Sequence, residues 1–210
     1  AGNLPINIEE LIDSSDFTNT INGLKNKPLS QCTNDHKFHP GREEIKVSRL
    51  QLSRINIAWP LVPALNQKMV IGAELLCALL AEGRQSRLVK KLREELRLVE
   101  SIEADITILE KGGLIILEAS CSEKDIDKVE QEINKVIIDL SQGIIDDSEL
   151  IKAKKIVSNS LRFNIEKPSQ VSSINGYNTL WERSQKLLYP LELINEWNAT
   201  ELKKTLLKEL

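Results

Sequence analysis

Histidine is almost missing from this chain, with two in 210 residues, and both fall in one short stretch, QCTNDHKFHP, as His36 and His39. Hydrolytic centres built on a Ser–His–acid relay, or on two imidazoles holding a metal, therefore have almost nothing to work with. Cys32, Asp35, His36 and His39 do form a donor-rich cluster. Pro28 and Pro40 flank it, however, and there are few apolar anchors to fix its geometry, so the segment reads as a solvated linker and no metal ligands are expected. Cysteine is equally scarce. Cys32, Cys77 and Cys121 give no disulfide framework, and the last two lie in apolar runs where they read as small buried hydrophobes.

Other absences narrow the field further. No glycine-rich phosphate loop exists: Lys111-Gly112-Gly113 lies between two strand-like runs and reads as a hairpin turn. The net charge of −3 gives no support for attraction to nucleic acid or an anionic membrane. The longest apolar run, Met69 to Ala81, is interrupted by Glu74 and is too short to span a bilayer. Nothing at the start reads as a signal peptide. A soluble, cytoplasmic domain is the expectation.

What is present is dense from Glu43 onward. Leu50 to Trp59 alternates, with Ile55, Ile57 and Trp59 on one face, which predicts a strand. Asn66 is placed to cap a helix running to about Leu80. In Gly83 to Glu100, GRQSRLVKKLREELRLVE, Gly83 permits a tight turn and Ser86 is a candidate N-cap. Leu88, Val89, Leu92, Leu96 and Val99 supply a stripe at helical spacing. Ser101 to Leu109 alternates Ile102, Ala104, Ile106 and Ile108 against Glu103, Asp105 and Thr107, the pattern of a half-buried antiparallel strand. Ser122 is placed to cap a helix whose Ile126, Val129, Ile133, Val136, Ile137 and Leu140 should pack on that strand, with Gly143 as its stop. The remainder is helical, interrupted at Pro168 and Pro190. Lys152, Lys154 and Lys155 follow Asp146, Asp147 and Glu149, a distribution that suits a helix dipole better than an anion site. The order predicts an α+β fold, an antiparallel sheet with a layer of helices packed on one face.

The succession Gly83, Ser86-Arg87-Leu88, Leu92-Arg93-Glu94 and then a strand resembles the second homologous domain of the inverted-zincin metallopeptidases, the family of pitrilysin, insulin-degrading enzyme and the mitochondrial processing peptidase. Further segments carry the same likeness: Arg54 to Pro60, Glu149-Leu150 with Ala153-Lys154, Glu166-Lys167-Pro168-Ser169, and Trp197 to Leu210, where a Thr caps a Glu-rich first turn. The family reads Leu-Gly-Leu-Ala-Tyr after Leu-Arg-Glu; here Arg97 replaces that Gly and Glu100 stands at the Tyr position.

The resemblance implies residues 1–24 as a remnant of the preceding homologous domain, 25–42 as a linker, and 43–210 as the C-terminal domain. It also implies the non-catalytic, substrate-holding half of a zinc-dependent peptidase. His-x-x-Glu-His is absent here, so this chain alone should be inactive and hold no cofactor, with zinc expected in the N-terminal partner domain. That domain, or a partner subunit, would close a clamshell over a peptide substrate. The family's Arg in Leu-Arg-Glu carries onto Arg93 as a substrate-binding residue. Its Tyr does not carry over, since Glu100 would repel an oxyanion. The alternative is a degenerate scaffold or partner subunit on the same fold.

Overall fold

The computed structural model describes residues 7–16 and 38–207. Two compact units are distinguished, Ala1–His39 and Pro40–Leu210. In the first, a short helix α1 spans Ile8–Asp13, with Leu11 and Ile12 exposed on it. Cys32, Asp35 and His36 lie outside the described residues.

The second unit begins with exposed irregular chain and enters strand β1 at Ser53–Leu61, three residues later than the alternation from Leu50 predicts. Helix α2 follows at Gln67–Ala81, capped as expected: the Asn66 side chain accepts from the Met69 N–H at 3.3 Å. A π-helical segment, Val89–Glu95, leads into β2 at Val99–Leu109 and β3 at Gly112–Cys121. A single 3-10 turn, Glu123–Asp125, then opens α3 at Ile126–Gln142, followed by α4 at Asp147–Glu166 and α5 at Pro168–Leu180. Helices α6, Tyr189–Glu196, and α7, Ala199–Thr205, close the described chain.

The three strands are antiparallel in the order β1-β3-β2. On one face Ile55, Ile57, Trp59, Leu117, Ile115, Ile102 and Ile106 are in or against the core. The opposite face carries exposed Arg54, Asn56, Glu118, Glu103 and Asp105. This is the half-covered sheet that the alternation predicts. Pro60 is tolerated because β1 is an edge strand, where a missing ladder donor costs least.

Four local readings are corrected. Gly112 and Gly113 belong to β3, paired with Leu109 and Ile108, and the turn is Glu110-Lys111. Glycine is needed at Gly113 for space: a Cβ there would lie 2.6 Å from the Thr107 carbonyl oxygen. Ser122 occupies the cap position, but its side chain forms no capping hydrogen bond; only its carbonyl accepts, from Asp125 N–H. Helix α3 packs towards β1 and the π segment, while the helix lying on β2 is α2. At the last helix Asn198 is the cap, accepting from Glu201 N–H at 2.9 Å.

Gly72 and Trp197 join the two ends of this unit. Trp197 is buried, its indole N–H donates to the Lys68 carbonyl at 3.1 Å, and a Cβ on Gly72 would sit 2.3 Å from its ring. A helix-interior glycine is thus the seat of an aromatic plug.

Candidate functional site

The segment from Gly83 to Glu100 is folded by a series of contacts that leave a few cations over. Gly83 takes φ 82°, the left-handed turn that glycine permits. Ser86 does not cap the helix with its side chain; its hydroxyl donates backwards to the Gly83 carbonyl at 2.7 Å and closes the turn. Arg87 reaches across to α4, donating to Glu149 at 2.8 and 3.2 Å and to the Ile144 carbonyl at 2.9 Å. Glu149 is at the same time the N3 residue of a capping box, accepting from Asp146 N–H at 3.2 Å while Asp146 accepts from Ser148 N–H. The Arg87 hydrogen bonds, foremost, hold the Glu149 carboxyl below its ordinary range. Arg87 therefore anchors the π segment to the start of α4, a pairing that separation in sequence hid.

Leu88 and Leu92 are fully buried, and Val89 nearly so, which pins one side of the π segment to the core. The segment ends without the continuation through Val99 that the apolar spacing predicts. Leu96 N–H donates to Lys91 at 3.0 Å and Leu98 N–H to Leu92 at 2.8 Å, a widened C-terminal closure. Arg97 takes φ 51° there. This explains the family's glycine at that place: the closure needs a left-handed residue, and Arg97 adopts it at a steric cost. Val99 then starts β2, and Glu100 is the residue at its bulge, exposed.

Arg93 lies on this clamped segment, exposed, with no ion pair among the described residues. Glu94, its neighbour, lies within the field of Arg93 but accepts its hydrogen bonds from another arginine. Glu94 binds Arg84 at 2.8 and 3.4 Å, which depresses its carboxyl. Neither Glu100 nor Glu103 forms an ion pair with Arg93 among the described residues. Lys90 and Arg97 are likewise exposed and without an ion pair among the described residues. A planar guanidinium in such a setting can grip a carbonyl or carboxylate with two parallel bonds.

No group of three or more metal-ligating side chains lies close together among the described residues. None of their helices is long and apolar enough to cross a membrane.

Comparison with known proteins agrees with this fold. The peptidase M16 inactive-domain model matches residues 2–157, and the chain belongs to that family. It is thus the non-catalytic type of half found in pitrilysin-like proteases. A protease from Helicobacter pylori superposes with TM-score 0.66 at 20% identity, over 75% of this chain and 38% of that one. A peptidase M16 inactive domain from Pseudomonas fluorescens gives 0.64 at 14% identity, over 75% and 38%. A chain of Complex III2 from Candida albicans gives 0.65 at 20% identity, over 74% and 39%. The match thus spans well under half of each of these chains. None of the curated protein sequences compared with it matches.

Proposed function

We propose that this chain is the peptide-holding half of a zinc peptidase and that Arg93 contacts the substrate. The observation that carries the reading is the state of Arg93, an exposed guanidinium without an ion pair on a segment fastened by Leu88, Leu92 and the Arg87–Glu149 clamp. A rigidly mounted free guanidinium loses little on binding a carbonyl or carboxylate. Residues 1–24 are then the end of the preceding homologous domain, 25–42 the linker, and 43–210 the holding domain. Zinc and the hydrolytic water belong to the partner half, in the same chain or as a separate subunit. Cys77 and Cys121 are free thiols buried in the fold, which fits a reducing compartment, so we infer a cytoplasmic location. Cell fractionation tests that part.

A scaffold role on the same fold is the second reading. Glu100, exposed where the family's Tyr would donate to an oxyanion, favours it, and so does the likeness to a chain of Complex III2 from Candida albicans.

The test is peptidase assay of the protein together with its zinc-bearing half, with Arg93→Lys and Arg93→Ala compared. Arg93→Lys keeps charge and loses the fork, so kcat/KM should fall by about tenfold, roughly the 1.4 kcal/mol of a charge-assisted bond. Unaltered kcat/KM in both variants would refute the role of Arg93. Absence of any zinc-dependent hydrolysis, with stable association in a larger assembly, would decide for the scaffold.

A further inference from the structure

A second feature of the Pro40–Leu210 unit lies away from Arg93. Helices α2, α4, α5 and α6, with Ile108 of β2, enclose a cavity of about 310 Å³, within the size range of ligand pockets. Its walls are apolar and aromatic, among them Val70, Leu161, Ile174, Trp181 and Leu191. Two charged side chains also line it, Glu74 from α2 and Arg183 from the turn after α5. They do not pair with each other, and neither side chain makes a hydrogen bond or ion pair among the described residues; the Arg183 Nε is buried and unpartnered.

The turn that carries Arg183 is held in place at some cost. Glu182 takes φ 54°, a left-handed conformation unfavourable to a side chain. Arg183 N–H donates to the Asn178 carbonyl at 2.8 Å, and Ser184 N–H donates to the Gln67 side chain at 3.1 Å. Among the described residues Asn178 and Gln67 are two of the three buried polar ones, the other being Ser86. The Trp181 ring lies under the guanidinium at 5.8 Å. Backbone strain and buried polar groups thus converge on aiming one arginine into an apolar space, a combination that packing alone does not call for.

We propose that this cavity binds a small apolar monocarboxylate, its carboxylate on Arg183 and its alkyl or aromatic tail between Trp181, Ile174 and Leu191. A guanidinium selects carboxylate or phosphate. The carboxyl of Glu74 in the same cavity, with Asp105 of β2 close enough to act on it, opposes a dianionic phosphate. An ammonium head is opposed by Arg183.

Proton linkage follows. Burial pushes the Glu74 carboxyl up to about 7, Arg183 opposing and Asp105 adding to that rise. The Cys77 thiol on the same helix is pushed up to about 12 and stays neutral. Glu82 of the neighbouring turn and Tyr177 of α5 are the other titratable groups lining this region. A carboxylate bound on Arg183 favours protonated Glu74, which can donate to it. Binding therefore takes up a proton and tightens as pH falls from 8 to 6.

The experiment is titration of the 210-residue chain with octanoate, octanol and octylammonium, read by calorimetry and tryptophan fluorescence. A peptide ending in a free C-terminal leucine is titrated alongside. Octanoate should bind at least about tenfold more tightly than octanol, and octylammonium most weakly, since the charged hydrogen bond is what separates them. Arg183→Met should bring octanoate to the octanol level and leave octanol unchanged. Glu74→Gln should abolish the tightening at lower pH. The head-group series needs no variant, so a misfolded mutant cannot decide the matter. Equal affinity for octanoate and octanol, no binding of either, or binding of the peptide without octanoate would each overturn the proposal. Loss of peptidase function in Arg93 variants leaves all these outcomes unaffected.

Discussion

Replacing Glu74 with Gln should make the protein more stable, and only at neutral and alkaline pH. Glu74 projects from α2 among apolar neighbours, and burial raises its carboxyl from the ordinary 4.5 to about 7. An acid whose folded pKa lies above its unfolded one binds more protons when folded throughout that interval. Stability therefore falls as pH climbs from 4.5 towards 7 and levels off above it. The interval is about 2.5 units, and each unit corresponds to about 1.4 kcal/mol, so ionising Glu74 costs on the order of 3 kcal/mol above pH 7. A neutral amide of the same shape removes that cost. Urea denaturation of the native chain and Glu74→Gln at pH 5, 6, 7 and 8 measures it. The difference should be small at pH 5 and reach about 2–3 kcal/mol at pH 8 in favour of the variant. The depressed carboxylates, Glu94, Glu132 and Glu149, give the opposite slope, since each adds stability above its unfolded pKa that is lost as pH falls through its folded one. They are common to both proteins and cancel in the difference. A gain independent of pH, or a loss at pH 8, would refute the claim that an ionised, uncompensated carboxylate sits there.

Three further outcomes are expected. Arg97→Gly should stabilise by about 0.5–1 kcal/mol in the same denaturation assay, because φ 51° is strained for arginine and free for glycine; a loss would mean the arginine side chain contributes more than the strain removes. Arg87→Ala should cost about 1–3 kcal/mol, since it breaks a two-pronged bond to a partly buried Glu149 and frees the Ile144 carbonyl; a change below half a kcal/mol, judged by denaturant midpoint, would show the clamp to be ornamental. Leu117→Ala, at the fully buried centre of the sheet, should cost about 2–5 kcal/mol, whereas Ile106→Ala should cost less because Ile106 borders a second cavity of about 170 Å³; equal losses would contradict this placement of the core.

Signals that act within a few residues were legible in the sequence. The Asn66 cap and the period-2 alternation of β2 are each written in one short stretch, and each takes the form expected of it, while the acids at the start of α4, read only as suiting a dipole, turn out to build a capping box. The failures share another physical origin. Lys111-Gly112-Gly113 looked like a turn because glycine favours turns, yet Gly113 serves a close approach of backbone that only the paired strand defines. The left-handed closure at Arg97 broke the helical stripe before Val99, and an arginine gives no hint of positive φ. Arg87 and Glu149 were both visible, but nothing short of the fold brings residues 62 apart into contact. For the candidate site, the sequence supplied Arg93 through resemblance alone. Glu74 and Arg183 went unread because one looked like an interruption in an apolar helix and the other fell in a stretch read simply as helical between Pro168 and Pro190.

The seat that Gly72 offers Trp197 bears on where this protein can be divided. The family match stops at residue 157, but the core does not: Leu193, Ile194, Trp197, Leu202 and Leu206 are buried beyond it. Lys68 and Trp197 are 129 residues apart along the chain, so the indole docks only after a very long loop has closed. A polypeptide cut at the end of the matched stretch would keep its sheet and lose its lid, baring the glycine-lined notch of α2 as a greasy slot. The last fifty or so residues thus act as the domain's keystone, and any expressed piece must carry them to stay in solution.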